Sequence, residues 1–135
     1  KIYDGNNDPI TDAMIETWQC DENGKYSNYQ GFSRRVTDFK TGEYQIKTIR
    51  PGNQIKENGK ISPSYILFWI VARGMNRPLI TRMYFDENEL KSDVMFKNLN
   101  IQDRLKTLIP YTEDKKNFVF DIHLQGKKET IFFEF

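Results

Sequence analysis

Apolar and polar residues alternate with period two along most of the chain, which is the signature of half-buried β-strands. In "AMIETWQCD" Met14, Trp18 and Cys20 alternate with Ala13, Ile15 and Thr17. "EYQIKTI" sets Tyr44 and Ile46 on one face and Gln45 and Lys47 on the other, and "LITRMYF" is similar. "FVFDIHLQ" aligns Phe118, Phe120, Ile122 and Leu124 opposite Asp121, His123 and Gln125. "TIFFEF" aligns Ile131, Phe133 and Phe135. One run breaks the alternation: Tyr65 to Ala72 is apolar throughout. That pattern predicts a strand buried on both faces.

Turn sequences separate these runs: "DGNNDP", "DENGK", "KTGE", "PGNQIKENGK", "TEDKKN" and "QGKKE". Gly, Pro, Asn and Asp dominate them, each able to hold a turn conformation. Short strands with such spacing predict an all-β fold, an antiparallel β-sandwich of residues 1–135 as one domain. Helix is confined to short pieces. "DENEL" begins one near Asp86, and "IQDRLKTLI" forms another turn or two.

Composition adds exclusions. The net charge is +1, with Lys115, Lys116, Lys127 and Lys128 in predicted turns, so no basic patch for nucleic acid is expected. Cys20 stands alone, which rules out an internal disulfide and fits a reducing, cytoplasmic compartment. No apolar run reaches the roughly 18 residues of a membrane span, so no membrane partner is expected. The first residues are strand-like, without a signal peptide, and suggest that an N-terminal extension is missing.

Candidate chemistry is sparse. His123 is the single histidine and shares a strand face with Asp121. The two could be a base and its orienter, or two solvated side chains near a turn. One His and one Cys make a poor metal-donor set. The seven tyrosines fit packing on half-buried strands. Asp8, Asp12, Asp21, Glu22, Asp38, Asp86 and Glu87 lie near turns. No phosphate loop, nucleophile elbow or Cys/His dyad is present.

Longer blocks carry a resemblance. "IYDGNNDPITDAMIETWQCDENGKY" and "GFSRRVTDFKTGEYQIKTIRPG" resemble the catalytic domain of the intradiol ring-cleaving dioxygenases. "ARGMN", "TRMYFDENE" and "FDIHLQGKKETIFFEF" are more similar to the alpha-type than to the beta-type chains of the protocatechuate-cleaving branch. The resemblance implies a β-sandwich. It also implies chemistry on a non-haem Fe(III) held by two tyrosines and two histidines, which suit a hard ferric ion. The catecholic substrate chelates that iron and is cleaved by O₂ between its hydroxylated carbons.

Carried onto this chain, the His-x-His pair falls on Tyr65 and Leu67, and the helping arginine on Ser62. The loop Asn53-Gln54-Ile55-Lys56 has no tyrosine, and Tyr29 is the nearby candidate for the other ligand. The resemblance therefore implies no metal in this chain. Fe(III) is expected in a beta-type partner of a hetero-oligomer acting on an aromatic catecholic acid. Arg73 matches the arginine that lines the substrate pocket, with a sheet-end ion pair as its alternative role. A non-catalytic binding or structural module on the same sandwich is the competing reading of the whole chain.

Overall fold

In chain order the strands are β1 (Ile2–Tyr3), β2 (Met14–Trp18), β3 (Phe32–Val36), β4 (Gln54–Ile55), β5 (Ile61–Ser62), β6 (Tyr65–Val71), β7 (Leu79–Tyr84) and β8 (Ile122–His123). The computed structural model describes every residue except Asn28, Tyr29 and Phe135, so the expectations for Tyr29 and Phe135 lie outside the described residues. One antiparallel sheet has the order β3-β2-β6-β7. It forms one layer. The pair β1–β8 and the extended segments around Tyr44 and Phe118 form the other.

The inner face of the sheet follows from alternation. Ala13, just before β2, Ile15 of β2 and Ile66, Phe68 and Ile70 of β6 are buried together against Ile2, Phe120 and Ile122 of the second layer. Ile15 and Ile70 are wholly buried, and burial of each stabilises by about 1.5–3 kcal/mol. The grouping expected for β2 holds as far as Thr17. At Gln19 and Cys20 both consecutive residues are buried, so the chain leaves the pleat there.

β6 departs from the both-faces expectation. Ile66, Phe68 and Ile70 are buried, whereas Tyr65, Leu67, Trp69 and Val71 are half-buried. Among the described residues, a second apolar cluster covers the outer face at its Tyr65 end. It gathers Tyr84, Leu90, Phe96, Leu105, Leu108 and Ile131. That cluster is roofed by helix α1 (Glu87–Ser92) and two 3-10 segments, Val94–Phe96 and Gln102–Leu108. The Asp86 carboxylate caps α1 by accepting from the Glu89 N–H at 2.7 Å, which explains why "DENEL" starts a helix. The Val94–Phe96 turn was not expected from the pattern. None of these helices is long and apolar enough to cross a membrane.

The second layer differs most from the sequence expectation. Tyr44 and Ile46 do face the core, and Gln45 and Lys47 do face outward. Yet among the described residues no backbone hydrogen bond joins Tyr44–Thr48 to anything. "FVFDIHLQ" contributes only Ile122–His123 to a strand, and that strand runs parallel to β1. Among its described residues "TIFFEF" makes a single bridge, Phe133 to Ile80. Alternation encodes which face is buried. It does not encode a neighbour at the ~4.8 Å that a ladder requires.

The turns follow their residues. The Asp21 side chain accepts from the Asn23 and Lys25 N–H groups at 2.9 Å each. Gly24 has φ +78, and a Cβ there would meet the Asn53 carbonyl at 1.9 Å, so only glycine fits. In "TEDKKN" the Asn117 and Lys116 N–H groups hold the Asp114 carboxyl down at about 2. The paired lysines are exposed loop charges, as their turn setting predicts.

Candidate functional site

The head of β6 is where the sequence raised the question of a lost site. Ser62, Pro63 and Ser64 are buried, and the Ser64 N–H donates to the Asn53 side chain at 3.3 Å. β6 then places Tyr65 across from Tyr84, and Leu67 between Trp18 and Arg82. Tyr65 and Leu67 thus share the outer face with Arg82 and Tyr84.

A charged group fills the space beside them. The Arg82 guanidinium carbon stands 4.2 Å from the centre of the Tyr65 ring. Its Nη1 lies 3.8 Å from the Asp93 carboxylate, and both side chains are largely buried. Asp93 accepts from the Tyr84 hydroxyl at 2.8 Å and from the Met95 N–H at 3.0 Å. Burial pushes the Tyr84 phenol well above its ordinary pKa. Partial burial and the neighbouring Tyr65 phenol do the same for Tyr26, whose hydroxyl accepts from Gln54 at 3.3 Å. Sequence reasoning missed Arg82, Tyr84 and Asp93. The available signal was an arginine and a tyrosine two apart on a mostly apolar strand, sharing one face.

The exit of β6 is a separate place. Arg73 is 89% exposed and its Nε lies 3.3 Å from the Asp12 carboxylate. Along the strand it stands roughly 25 Å from Tyr65, at about 3.3 Å per residue. The structure does not bring Arg73 to the Tyr65 end.

The Asp121/His123 pair is not assembled as a base and its orienter. His123 stacks on Tyr3, with ring centres 4.8 Å apart and planes at 13°. Asp121 accepts from the Lys1 α-amino group at 2.8 Å, and among the described residues no hydrogen bond joins Asp121 to His123. Burial lowers the His123 pKa, partly offset by the Asp121 charge. The unfolded chain therefore binds a proton more readily than the folded one. Stability is full above about pH 6.5 and falls as the pH drops through that value. Thermal melts from pH 7.5 to 5.5 should show this decline, and His123→Gln should flatten it. An unchanged slope in the variant would contradict the assignment.

Residues 1–126 match a family model described as Dioxygenase, that of the intradiol enzymes. The chain belongs to the intradiol dioxygenase family. It is 34% identical over 148 aligned residues to the protocatechuate 3,4-dioxygenase alpha chain of Pseudomonas putida, covering 100% of this chain and 73% of that one. The Burkholderia cepacia alpha chain is 26% identical, with 99% and 74% covered. Among solved structures, the dioxygenase domain of a carbohydrate-binding fusion from Streptomyces sp. SirexAA-E superposes at TM-score 0.71, with 20% identity over 96% of this chain and 76% of that one. The 3-chlorocatechol 1,2-dioxygenase of Rhodococcus opacus gives 0.70 at 23%, over 91% of this chain and 55% of that one. At these identities the structural likeness establishes the intradiol β-sandwich fold.

The intradiol resemblance implies a ferric ion at the head of β6, and the residues there do not fit one. Leu67 offers no donor. The histidine lies on β8, in the other layer. Tyrosine ligation needs tyrosinate, yet burial holds the Tyr84 phenol in its protonated form. The Arg82 cation beside Tyr65 would repel Fe(III) in a medium of low dielectric. Among the described residues no three of His, Cys, Asp and Glu gather as a metal site. Cys20 is buried with its thiol pushed up, so it supplies no thiolate either.

Proposed function

We propose that the chain is an alpha-type, non-iron-binding subunit of a protocatechuate 3,4-dioxygenase-like complex. In that complex a beta-type partner carries Fe(III), and a catecholic acid is cleaved by O₂ between its two hydroxylated carbons. The match to the P. putida alpha chain along 100% of this chain carries the reading. The arginine-filled head of β6 supports it, since a chain with this arrangement needs a partner for the metal. Trp18, Phe32 and Val36 share the outer face of the sheet and are exposed, which suits burial against that partner in a hetero-oligomer. The cytoplasm is the expected setting, with the 135 residues acting as one domain.

Arg73 is the residue assigned to the substrate. Its guanidinium is exposed and, among the described residues, paired with Asp12 alone, so its outer edge is open to a substrate carboxylate in two-pronged geometry. In the assembled complex, Arg73→Gln should raise KM for protocatechuate by about tenfold, the worth of one charge-assisted contact. Turnover of catechol, which lacks the carboxylate, should change little. Equal effects on both substrates would remove Arg73 from the pocket. The reading as a whole is tested by co-expression with a beta-type chain, size-exclusion chromatography and a protocatechuate assay. A shared peak with ring-cleavage activity is expected. A chain that never joins the partner would favour the competing binding module.

A further inference from the structure

β3 is an edge of the main sheet, and beside it a notch of about 520 Å³ opens between the two layers. Ser33 and Arg35 of β3 form one wall, and Lys47 and Thr48 of the second layer form the other. Thr17 of β2, across the ladder from Ser33, lines the floor. At the base the Thr48 hydroxyl donates to the Gln19 side-chain carbonyl at 2.8 Å, and the Gln19 amide donates to the Ile49 carbonyl at 2.8 Å. These two bonds hold the walls together. The charge of the notch has one sign. No carboxylate lines it, whereas Arg34, Arg35 and Lys47 do. Glu16 neutralises Arg34 by accepting from its Nε at 2.7 Å. Among the described residues Arg35 and Lys47 make no ion pair. The Arg35 Nη1 donates to the Arg34 carbonyl at 2.8 Å, which anchors one end of its fork. The hydroxyls add a second feature. Thr17 is 2% exposed, and among the described residues no hydrogen bond engages its hydroxyl or that of Ser33. A buried hydroxyl without a partner costs free energy. An acceptor from outside the chain would satisfy it.

We propose that this notch is a binding site for a small oxyanion, a carboxylate or a phosphate group. Arg35 and Lys47 supply positive charge from the two walls, and Thr17 and Ser33 supply hydroxyl donors from the floor. Charge-assisted hydrogen bonds of this kind are the strong ones. The same two cations repel a metal ion, and the polar floor gives an apolar ligand nothing to bury against. A bound oxyanion also has a structural effect. Tyr44–Thr48 makes no backbone hydrogen bond among the described residues, so side chains alone hold it to the main sheet at this edge. An anion shared by Arg35 and Lys47 ties that segment to β3. None of Tyr65, Leu67 and Arg73 lines the notch, so this inference does not depend on the proposed function.

The test titrates inorganic phosphate, and separately acetate, into the purified chain at an ionic strength held constant with sodium chloride. Backbone amide shifts and Tm are measured. Saturable shifts should gather at Ser33, Arg35, Lys47 and Thr48, and Tm should rise by a few degrees as the site fills. Arg35→Gln and Lys47→Gln should each weaken binding about threefold to fivefold, the worth of a solvent-exposed ion pair. Thr17→Val should weaken binding too, yet its Tm in chloride should be unchanged or higher, because the variant removes an unpaired hydroxyl. Lys128→Gln, in the turn after β8, is the control and should bind as the parent chain does. Tighter phosphate assigns the site to a phosphoryl ligand and tighter acetate to a carboxylate, and either supports it. No saturable shift with either anion, the same response to sodium chloride alone, or equal losses in Lys128→Gln and Arg35→Gln would overturn the proposal. Undiminished binding by Thr17→Val would overturn it as well.

Discussion

Asp93→Ala is expected to destabilise the fold by about 3–5 kcal/mol, a fall in Tm of roughly 10–20 °C. Asp93 and Arg82 are both largely buried, with side-chain exposures of 4% and 13%. Removing the carboxylate leaves the guanidinium in a poorly solvated place between two aromatic rings, those of Tyr65 and Phe133. It also takes away the acceptor for the Tyr84 hydroxyl and the cap of the following 3-10 turn. Replacing both partners by apolar residues, Arg82→Met with Asp93→Leu, removes the guanidinium together with its buried counter-charge. The double variant should therefore be more stable than Asp93→Ala alone. Chemical denaturation of the three proteins decides this, and a double variant weaker than the single one would contradict the buried-pair interpretation.

Phe68→Ala is the second large effect, at about 3–5 kcal/mol. Phe68 is 3% exposed and joins the two layers. Its ring stands 5.1 Å from Phe120 and 6.2 Å from Tyr44, both in the second layer. Truncation opens a cavity that neither layer can close alone. Trp69, the next residue, lies on the outer face and is only half-buried. Trp69→Ala should cost clearly less in the isolated chain, although tryptophan is the larger residue. Equal losses would mean that the register of β6 is wrong, because a one-residue slip exchanges the two faces.

Much of the sandwich was legible in the alternation. Tyr44, Ile46, Phe118 and Phe120 face the core as their spacing predicts. What alternation left out was pairing, since a strand's in-out pattern carries no information about its neighbours. The parallel β1–β8 pair and a Tyr44–Thr48 segment without a backbone partner among the described residues are the result. The apolar run through β6 misled for a related reason. Leu67, Trp69 and Val71 are apolar without being fully buried, which hydropathy alone reads as core. At the site, the positions Tyr65 and Leu67 came from the family resemblance. The Arg82–Asp93–Tyr84 cluster did not, because it depends on a short turn folding back over β7. Arg82 and Tyr84, two apart, mark a shared face of the strand but not the turn that covers it. Arg73 stands where the sequence put it, at the strand exit, and its ion pair with Asp12 is only visible in three dimensions.

Metal content tests the proposed division of labour most directly. The purified chain is incubated with Fe(III), desalted, and examined for bound iron and for the visible tyrosinate-to-iron absorption. The same measurement follows co-purification with a beta-type chain. The chain alone should retain no iron and show no visible band, and both should appear only in the complex. Stoichiometric iron with a visible band in the chain alone would contradict the proposal that the partner holds the metal.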